Sequence, residues 1–260
     1  NCGHDRTCNL ACPSCRKHVY VSNAQEQKKL IALQQRVLGE IGQGLRQLYI
    51  AGNGDPFASP VYMALLNSLT PEKYPRLRIH LMTNAQLWTP ERWHALEHMN
   101  AMVTTANISV DAASSRIYAY NRRGGSWERL KQNLRFVSKL RAEGKLRFVT
   151  LSFVVQSNNY RQMPEFVEFA REHGFDQVWF QKFRDWGILG VKNVQELGQY
   201  AVHKPRHRDF SRFLSVLADL RLNDPIVAMY SLYPLRESAL IVTKIPAGRV
   251  LYKIKRLLWN

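Results

Sequence analysis

Cysteine is scarce in this chain of 260 residues: there are four in all, and none follows Cys15. A disulfide framework is thereby excluded from nearly the whole length, since bridges need paired thiols across the fold and an oxidising compartment. Long apolar runs are missing too. No stretch approaches the roughly 20 apolar residues of a membrane-spanning helix, and no secretory signal pattern is present. Acidic residues are few, 20 against 37 Lys and Arg, for a formal net charge of +17. Such a surplus implies an anionic partner or substrate: nucleic acid, a phosphorylated or nucleotide-linked sugar, an acidic peptide, or a membrane surface. Internal repeats and low-complexity segments are also lacking. The length suits one large domain with a smaller C-terminal appendage.

Against this scarcity, "CNLACPSC" (8–15) gathers Cys8, Cys12 and Cys15 in a C-x3-C-x2-C spacing. Three readings are open. A buried or disulfide-bonded group is one, although a tight odd-numbered set suits neither state. A structural zinc wants four ligands, usually in two separated halves, and only Cys2, His4 and His18 are near enough to complete a Cys3His set. The third is an iron–sulfur cube, in which three thiolates leave one iron open to another ligand.

The spacing, near the start of a mixed α/β chain, resembles the signature of the radical S-adenosylmethionine (SAM) superfamily. The resemblance implies that Cys8, Cys12 and Cys15 hold a [4Fe-4S] cluster whose unique iron is chelated by SAM. It implies reductive cleavage of SAM to a 5′-deoxyadenosyl radical that abstracts hydrogen from a substrate. The protein supplies orientation and exclusion of water, and a donor such as flavodoxin or ferredoxin supplies the electron. Ser14 departs from the pattern, because the position before the last cysteine is often aromatic in the family.

Periodicity along the chain alternates. Helical spacing runs over 24–43, around 60–69, from Thr89-Pro90, over 126–144 and over 163–174. Strand-like runs occupy 45–52, 76–84, 102–111, 146–156 and 176–183. Strands alternating with helices argue for βαβ units and a parallel sheet. The resemblance makes the expected fold an α/β partial (β/α)6 barrel over 1–183, with a small, mostly helical or irregular C-terminal extension over 184–260. Function then belongs at the C-terminal ends of the strands.

Motifs fall at those ends. "AGNGDPF" (51–57) is similar to the family's Gly-Gly-Glu-type segment, which makes Gly52, Asn53, Gly54 and Asp55 candidates for the SAM amino group. Thr83 and Asn84 resemble a segment near the ribose. Ser109 and Asp111 share a strand face. "YAYNRRGGSWE" (118–128) resembles a Tyr…Arg-Gly-Gly segment, by which Arg122 would pair with the SAM carboxylate and Arg123 would face solvent. Asn158, Asn159 and Gln181 are weaker candidates for the adenosine moiety, each read rather as a loop hydrogen-bonder. Together these segments cover residues 2 to 183.

The phrase "NCGHDRTCNLACPSCR" also resembles members with SPASM-type auxiliary-cluster domains. Only seven residues precede Cys8, barely a stub of a first strand, so a fragment lacking its N-terminal part is expected. Cys2 reads as a small buried residue, or as a redox or hydrogen-donor thiol. His203 and His207 are spaced H-x3-H without a helix to align them, and read as surface histidines. In 249–258 apolar positions recur at helical spacing among basic ones, ahead of Trp259. Packing on the barrel is the commoner fate of such a face, and peripheral contact of 249–259 with an anionic membrane is the other reading. The expected setting is a reducing cytoplasm. The substrate classes left open are a ribosomal peptide or a carbohydrate-type metabolite, with the reaction outcome unassigned. The rival is a non-catalytic Fe–S or zinc module that binds nucleic acid. Scattered basic residues and no aromatic stacking platform argue against it.

Overall fold

The computed structural model describes residues 1–50, 52–185 and 200–243. Helix α1 (Ala24–Ile41) starts at a capping box in which Asn23 and Glu26 satisfy each other's backbone N–H groups. Strand β1 (Gln47–Ile50) follows, then α2 (Pro60–Ser68), capped by Ser59 with proline at its first turn. Strand β2 (Arg78–Thr83) leads to α3 (Pro90–His94) and α4 (Glu97–Asn100), and β3 (Val103–Ser109) leads to α5 (Ser115–Asn121) and α6 (Trp127–Ala142). Strand β4 (Phe148–Val155), α7 (Met163–Glu172) and β5 (Gln177–Lys182) complete the regular alternation. The five expected strands and the longer helices are present, with ends shifted by a few residues. Helices α4 and α5 are additional.

The stretch after residue 183 supplies α8 (Phe210–Leu217), β6 (Val227–Ala228) and α9 (Tyr233–Thr243). The sheet is parallel throughout and runs β1-β2-β3-β4-β5-β6. Among the described residues β1 and β6 do not pair, so the barrel is open. The expected extension therefore closes one side of the sheet with its own short strand. A further parallel bridge joins Cys2 to Ile50, with the Cys2 N–H donating to the Tyr49 carbonyl at 2.7 Å.

The two faces of the sheet differ. Leu48, Ile50, Ile79, Leu81, Ala106, Ile108, Val149, Leu151, Phe153, Val178 and Phe180 are buried on one face with α2, α6 and α7 side chains. Burying each large aliphatic there contributes about 1.5–3 kcal/mol. The alternate residues form the concave face: Tyr49, His80 and Thr105 in one row, Met82, Asn107, Thr150 and Gln177 in the next, then Ser109, Ser152 and Trp179. A polar concave face is unusual for a packed barrel, whose interior is normally filled with branched apolar side chains. It suits a ligand instead.

Among the described residues no helix is long and apolar enough to cross a membrane. The basic stretch 249–259 and Trp186 lie outside the described residues.

Candidate active site

The cysteine loop follows the Cys2 bridge. Asp5, buried, accepts from the Thr7 N–H and hydroxyl and from the Ser59 hydroxyl, while the Tyr62 hydroxyl meets the Asp5 backbone. These bonds fasten the loop to the start of α2. Cys8 makes an antiparallel bridge to Tyr20, and a turn over 12–16 is closed by Cys15 and Arg16 N–H groups donating to the Cys12 carbonyl, each at 2.9 Å. The Ala11 N–H donates to the Arg123 carbonyl at 2.9 Å, which ties the loop to the turn after α5. Cys8 and Cys12 are buried with Leu10, and Cys15 packs against them.

Each of the three thiols faces a side-chain donor, two of them from distant parts of the chain. Asn84 Nδ2 lies 3.7 Å from Cys8 Sγ, Arg122 Nη1 lies 3.8 Å from Cys12 Sγ, and Arg16 Nη2 lies 3.6 Å from Cys15 Sγ. Such donors favour thiolates and offset the charge of a thiolate-ligated cluster. Burial first, and then the Asp55 charge, pushes the Cys8 thiol up to about 11, and burial likewise raises Cys12. Bare thiols at these positions therefore stay protonated at neutral pH, and deprotonation has to accompany metal binding. Among the described residues no three His, Cys, Asp or Glu side chains are grouped to hold a single metal ion. A cube takes one thiolate on each of three separate irons, so it does not require the three sulfurs to converge on a single ion. The buried Nε of Arg122 and Oδ1 of Asn107, both without a partner, mark hydrogen-bonding capacity at this end of the sheet and on its concave face.

The other expected site residues divide into two groups. Asp55 does not present its carboxylate to a ligand. It is 1% exposed and accepts from Thr83 Oγ1 at 2.8 Å, from the Asn84 N–H at 2.8 Å and from the Phe57 N–H at 3.0 Å. Thr83 is committed to the same knot. Gly54 is needed for packing: a Cβ there would sit 2.5 Å from the Thr7 carbonyl oxygen. Asn53 gives its amide to the Gly3 carbonyl at 3.1 Å, and its own carbonyl accepts from Arg16. Gly52 lies open, and a Cβ there would meet nothing within 4 Å. The heptamer thus braces the cysteine loop more than it offers side chains, which corrects the reading of Asp55 and Thr83 as direct contacts.

Arg122 has an internal partner as well. Its Nη2 is 2.8 Å from Asp111 Oδ2, so an internal carboxylate already occupies one edge of the fork. Asp111 has φ of 59°, a strained conformation for a residue other than glycine. Its backbone carbonyl accepts from Asn121 and Asn159, each at 3.0 Å, and its Oδ1 accepts from the Val154 N–H at 2.7 Å. Against the cost of burial, the Asp111 charge holds Arg122 above its ordinary value. Gly124, at φ 91°, makes the turn that carries the Arg123 carbonyl back to the cysteine loop. Arg123 itself is exposed.

Ser109 and Gln181 lie on the concave face, as their strand parity requires. Asn84 stands beside Cys8 and also donates to Asn9 Oδ1 at 3.0 Å. Asn158 and Asn159 are loop hydrogen-bonders, paired with Asn121 and with the Gln156 N–H respectively. Cys2 is half-buried, packs on the main core and is raised by burial, apart from the other three thiols. Residues that sequence reading missed are Asp5, Arg16 and Gln86. Gln86 spans from Tyr118 Oη at 2.8 Å to the Ser126 backbone. A lone Arg after the last cysteine was the one local signal available.

No curated protein sequence matches the chain. Solved structures do. SuiB of Streptococcus suis bound to its precursor peptide SuiA superposes with a TM-score of 0.56 at 17% identity, over 89% of this chain and 49% of that one. Native anSMEcpe with bound AdoMet gives 0.59 at 20% identity, over 92% and 65%. The same enzyme with AdoMet and the Cp18Cys peptide gives 0.58 at 22% identity, over 92% and 64%. These likenesses are of fold, and the chain spans about half to two thirds of the length of those proteins. The model of the Radical SAM superfamily matches residues 4–178, well over half of the chain. The three-cysteine loop at the C-terminal ends of an open parallel sheet is thus the site of a family member: this chain belongs to the radical SAM superfamily.

Proposed function

We propose that Cys8, Cys12 and Cys15 hold the [4Fe-4S] cluster of this radical SAM enzyme, and that the reaction is carried out on a peptide. The observation that carries the cluster assignment is the set of three thiols, each faced by its own donor: Asn84, Arg122 and Arg16. When bound, cluster and SAM supply the family's chemistry, reductive cleavage of the sulfonium to a 5′-deoxyadenosyl radical that removes hydrogen from substrate. The chain's own residues orient and shield. Asp111 aims the Arg122 guanidinium at Cys12 and leaves Nε free for an anionic group such as the SAM carboxylate. Asn84, Ser109 and Gln181 offer polar contacts at successive strand ends, and the open backbone at Gly52 and Asn53 borders the loop. Asp55 and Thr83 act by positioning Asn84.

A peptide is supported by the polar concave face and by the two peptide-bound structures that share the fold. A carbohydrate-type substrate has no comparable support. The test is anaerobic reconstitution with iron and sulfide. It should give a broad absorbance near roughly 400 nm, as thiolate-ligated clusters do. Dithionite and SAM should then yield 5′-deoxyadenosine. A reconstituted protein that binds four irons and cleaves no SAM would sink the reading.

A further inference from the structure

The surplus of positive charge has a local expression at the mouth of the barrel. Lys182 is the last residue of β5, one position beyond Gln181 and of the opposite strand parity. Its N–H donates to Ser231 Oγ at 3.2 Å, which brings the β6–α9 connection against this strand end. The Ser157 N–H, just past β4, donates to the Tyr200 carbonyl at 3.0 Å, and Tyr200 stacks on Phe183 with centroids 5.7 Å apart. The turn that Tyr200 begins carries His203 and Lys204. These contacts seat three basic side chains, Lys182, His203 and Lys204, over the C-terminal ends of β4 and β5.

The group is unbalanced. No described carboxylate lies within ion-pair distance of Lys182, His203 or Lys204, although Asp209 nearby pairs with Arg161, Arg208 and Arg212. Asp185, close in the chain, already has a partner. His203 is half-buried and its Nδ1 finds no hydrogen-bond partner among the described residues. Burial, followed by Lys204, Lys182 and His207, pushes His203 down to about 4, and burial, Lys204 and Arg184 push Lys182 down. At neutral pH His203 is therefore an uncharged imidazole, and the charge of the group is that of Lys182 and Lys204, held close together with no described counter-ion. Tyr230, 72% exposed, precedes the Ser231 that accepts from the Lys182 N–H, and its other side meets Trp179 of the concave face at 6.3 Å in a T-shaped pair. An exposed aromatic ring next to a cationic cluster, at the end of a parallel barrel where substrates bind, is a subsite in want of an anion.

We propose that Lys182, His203 and Lys204 form an anchor for a carboxylate side chain of the substrate peptide, with Tyr230 beside the residue that carries it. This rests on the peptide reading above. It makes the substrate's recognition segment acidic.

The test uses reconstituted protein with SAM and two fluorescent probes: a glutamate-rich peptide, and the same peptide with glutamine at each glutamate. Anisotropy should show the glutamate probe binding at least about tenfold tighter, the scale of a hydrogen bond to a charged group. Lys182→Ala and Lys204→Ala should each lose most of that preference, Lys182→Arg should keep it, and Lys139→Ala on α6 should leave it intact. Thermal melts establish that each variant is folded, and Lys204→Gln serves if an alanine variant is not. Equal affinity for the two probes overturns the anchor, as does an unchanged preference in both lysine variants. Competition by inorganic phosphate at lower concentration than free glutamate would also overturn it, by assigning the cations to a phosphate-bearing ligand. Formation of 5′-deoxyadenosine is scored on the same preparation. Its absence strikes the enzyme reading and leaves the binding result standing, whereas cleavage with indifferent peptides strikes the anchor alone.

Discussion

Two arginine–aspartate pairs sit at opposite ends of the same strands. At the C-terminal ends, Arg122 and Asp111 are buried 2.8 Å apart, the aspartate backbone is left-handed, one guanidinium nitrogen has no partner, and the remaining edge faces Cys12. At the other end, Arg141 grips both oxygens of Asp176 at 2.7–3.1 Å, and Asp176 also accepts from the Val149 N–H at 2.8 Å. Both oxygens of this aspartate are satisfied, and neither backbone is in the left-handed region. The same residue types serve stability where nothing remains to be bound, and carry strain with spare bonding capacity where something is. Barrels divide their two ends in this way.

The largest break in that contrast comes from the cysteines. Alanine at Cys8, Cys12 or Cys15 should abolish both the visible cluster absorbance and SAM cleavage, whereas Cys2→Ala should retain both. A normal iron content in Cys12→Ala would remove the assignment. Next in size, Arg122→Ala leaves Asp111 buried and unpaired, and should cost about 3–5 kcal/mol in denaturant unfolding. Replacing both partners, Arg122→Met with Asp111→Leu, should recover most of that stability and none of the SAM cleavage. Recovery of cleavage would show the pair to be structural only.

At the opposite end, Asp176→Ala should cost about 2 kcal/mol through the lost charged hydrogen bonds, with 5′-deoxyadenosine formation per folded enzyme unchanged. Loss of turnover in that variant would erase the distinction between the two ends. The smallest effect is in pH. Burial pushes the Asp176 carboxyl up, but Arg141 and the Val149 N–H outweigh it and hold the group below the ordinary carboxylate range. A depressed carboxyl adds stability that is fully present above its unfolded pKa, near 3.9, and is lost as pH falls through the folded value. The stability gap between the parent and Asp176→Asn should accordingly be constant from pH 7 to about 5 and narrow below about 4.

Much of this architecture was legible because the signals were local. The period of 3.6 over 126–144 and the alternation over 146–156 sit on α6 and β4 almost residue for residue. Strand β6, two residues long, has no period to read. Helix α8 did carry the pattern, with Phe210, Phe213, Leu214 and Leu217 buried on one face, inside an extension expected only as mostly helical or irregular. At the site, the spacing of the three cysteines and the strand positions of Ser109 and Gln181 could be read locally. The internal partners of Asp55, Thr83 and Arg122 could not. Whether a polar side chain turns inward or outward depends on partners 28 residues away for Thr83 and Asp55, and on Asp111 for Arg122. The donor facing Cys8 comes from 76 positions down the chain.

That separation sets an order of events during synthesis. The thiols leave the ribosome early, but the surroundings that bury and polarise them are complete only when Arg122 and the Arg123 carbonyl have been made and α5 has docked. At typical elongation rates of 5–20 residues per second, the interval is roughly 5–25 s. Throughout it, Cys8, Cys12 and Cys15 are solvent-accessible thiols on a nascent chain, open to oxidation and to stray metals. A shielded place for the cluster therefore exists only after residue 123 has been made, and until then the topology leaves these thiols dependent on reducing surroundings.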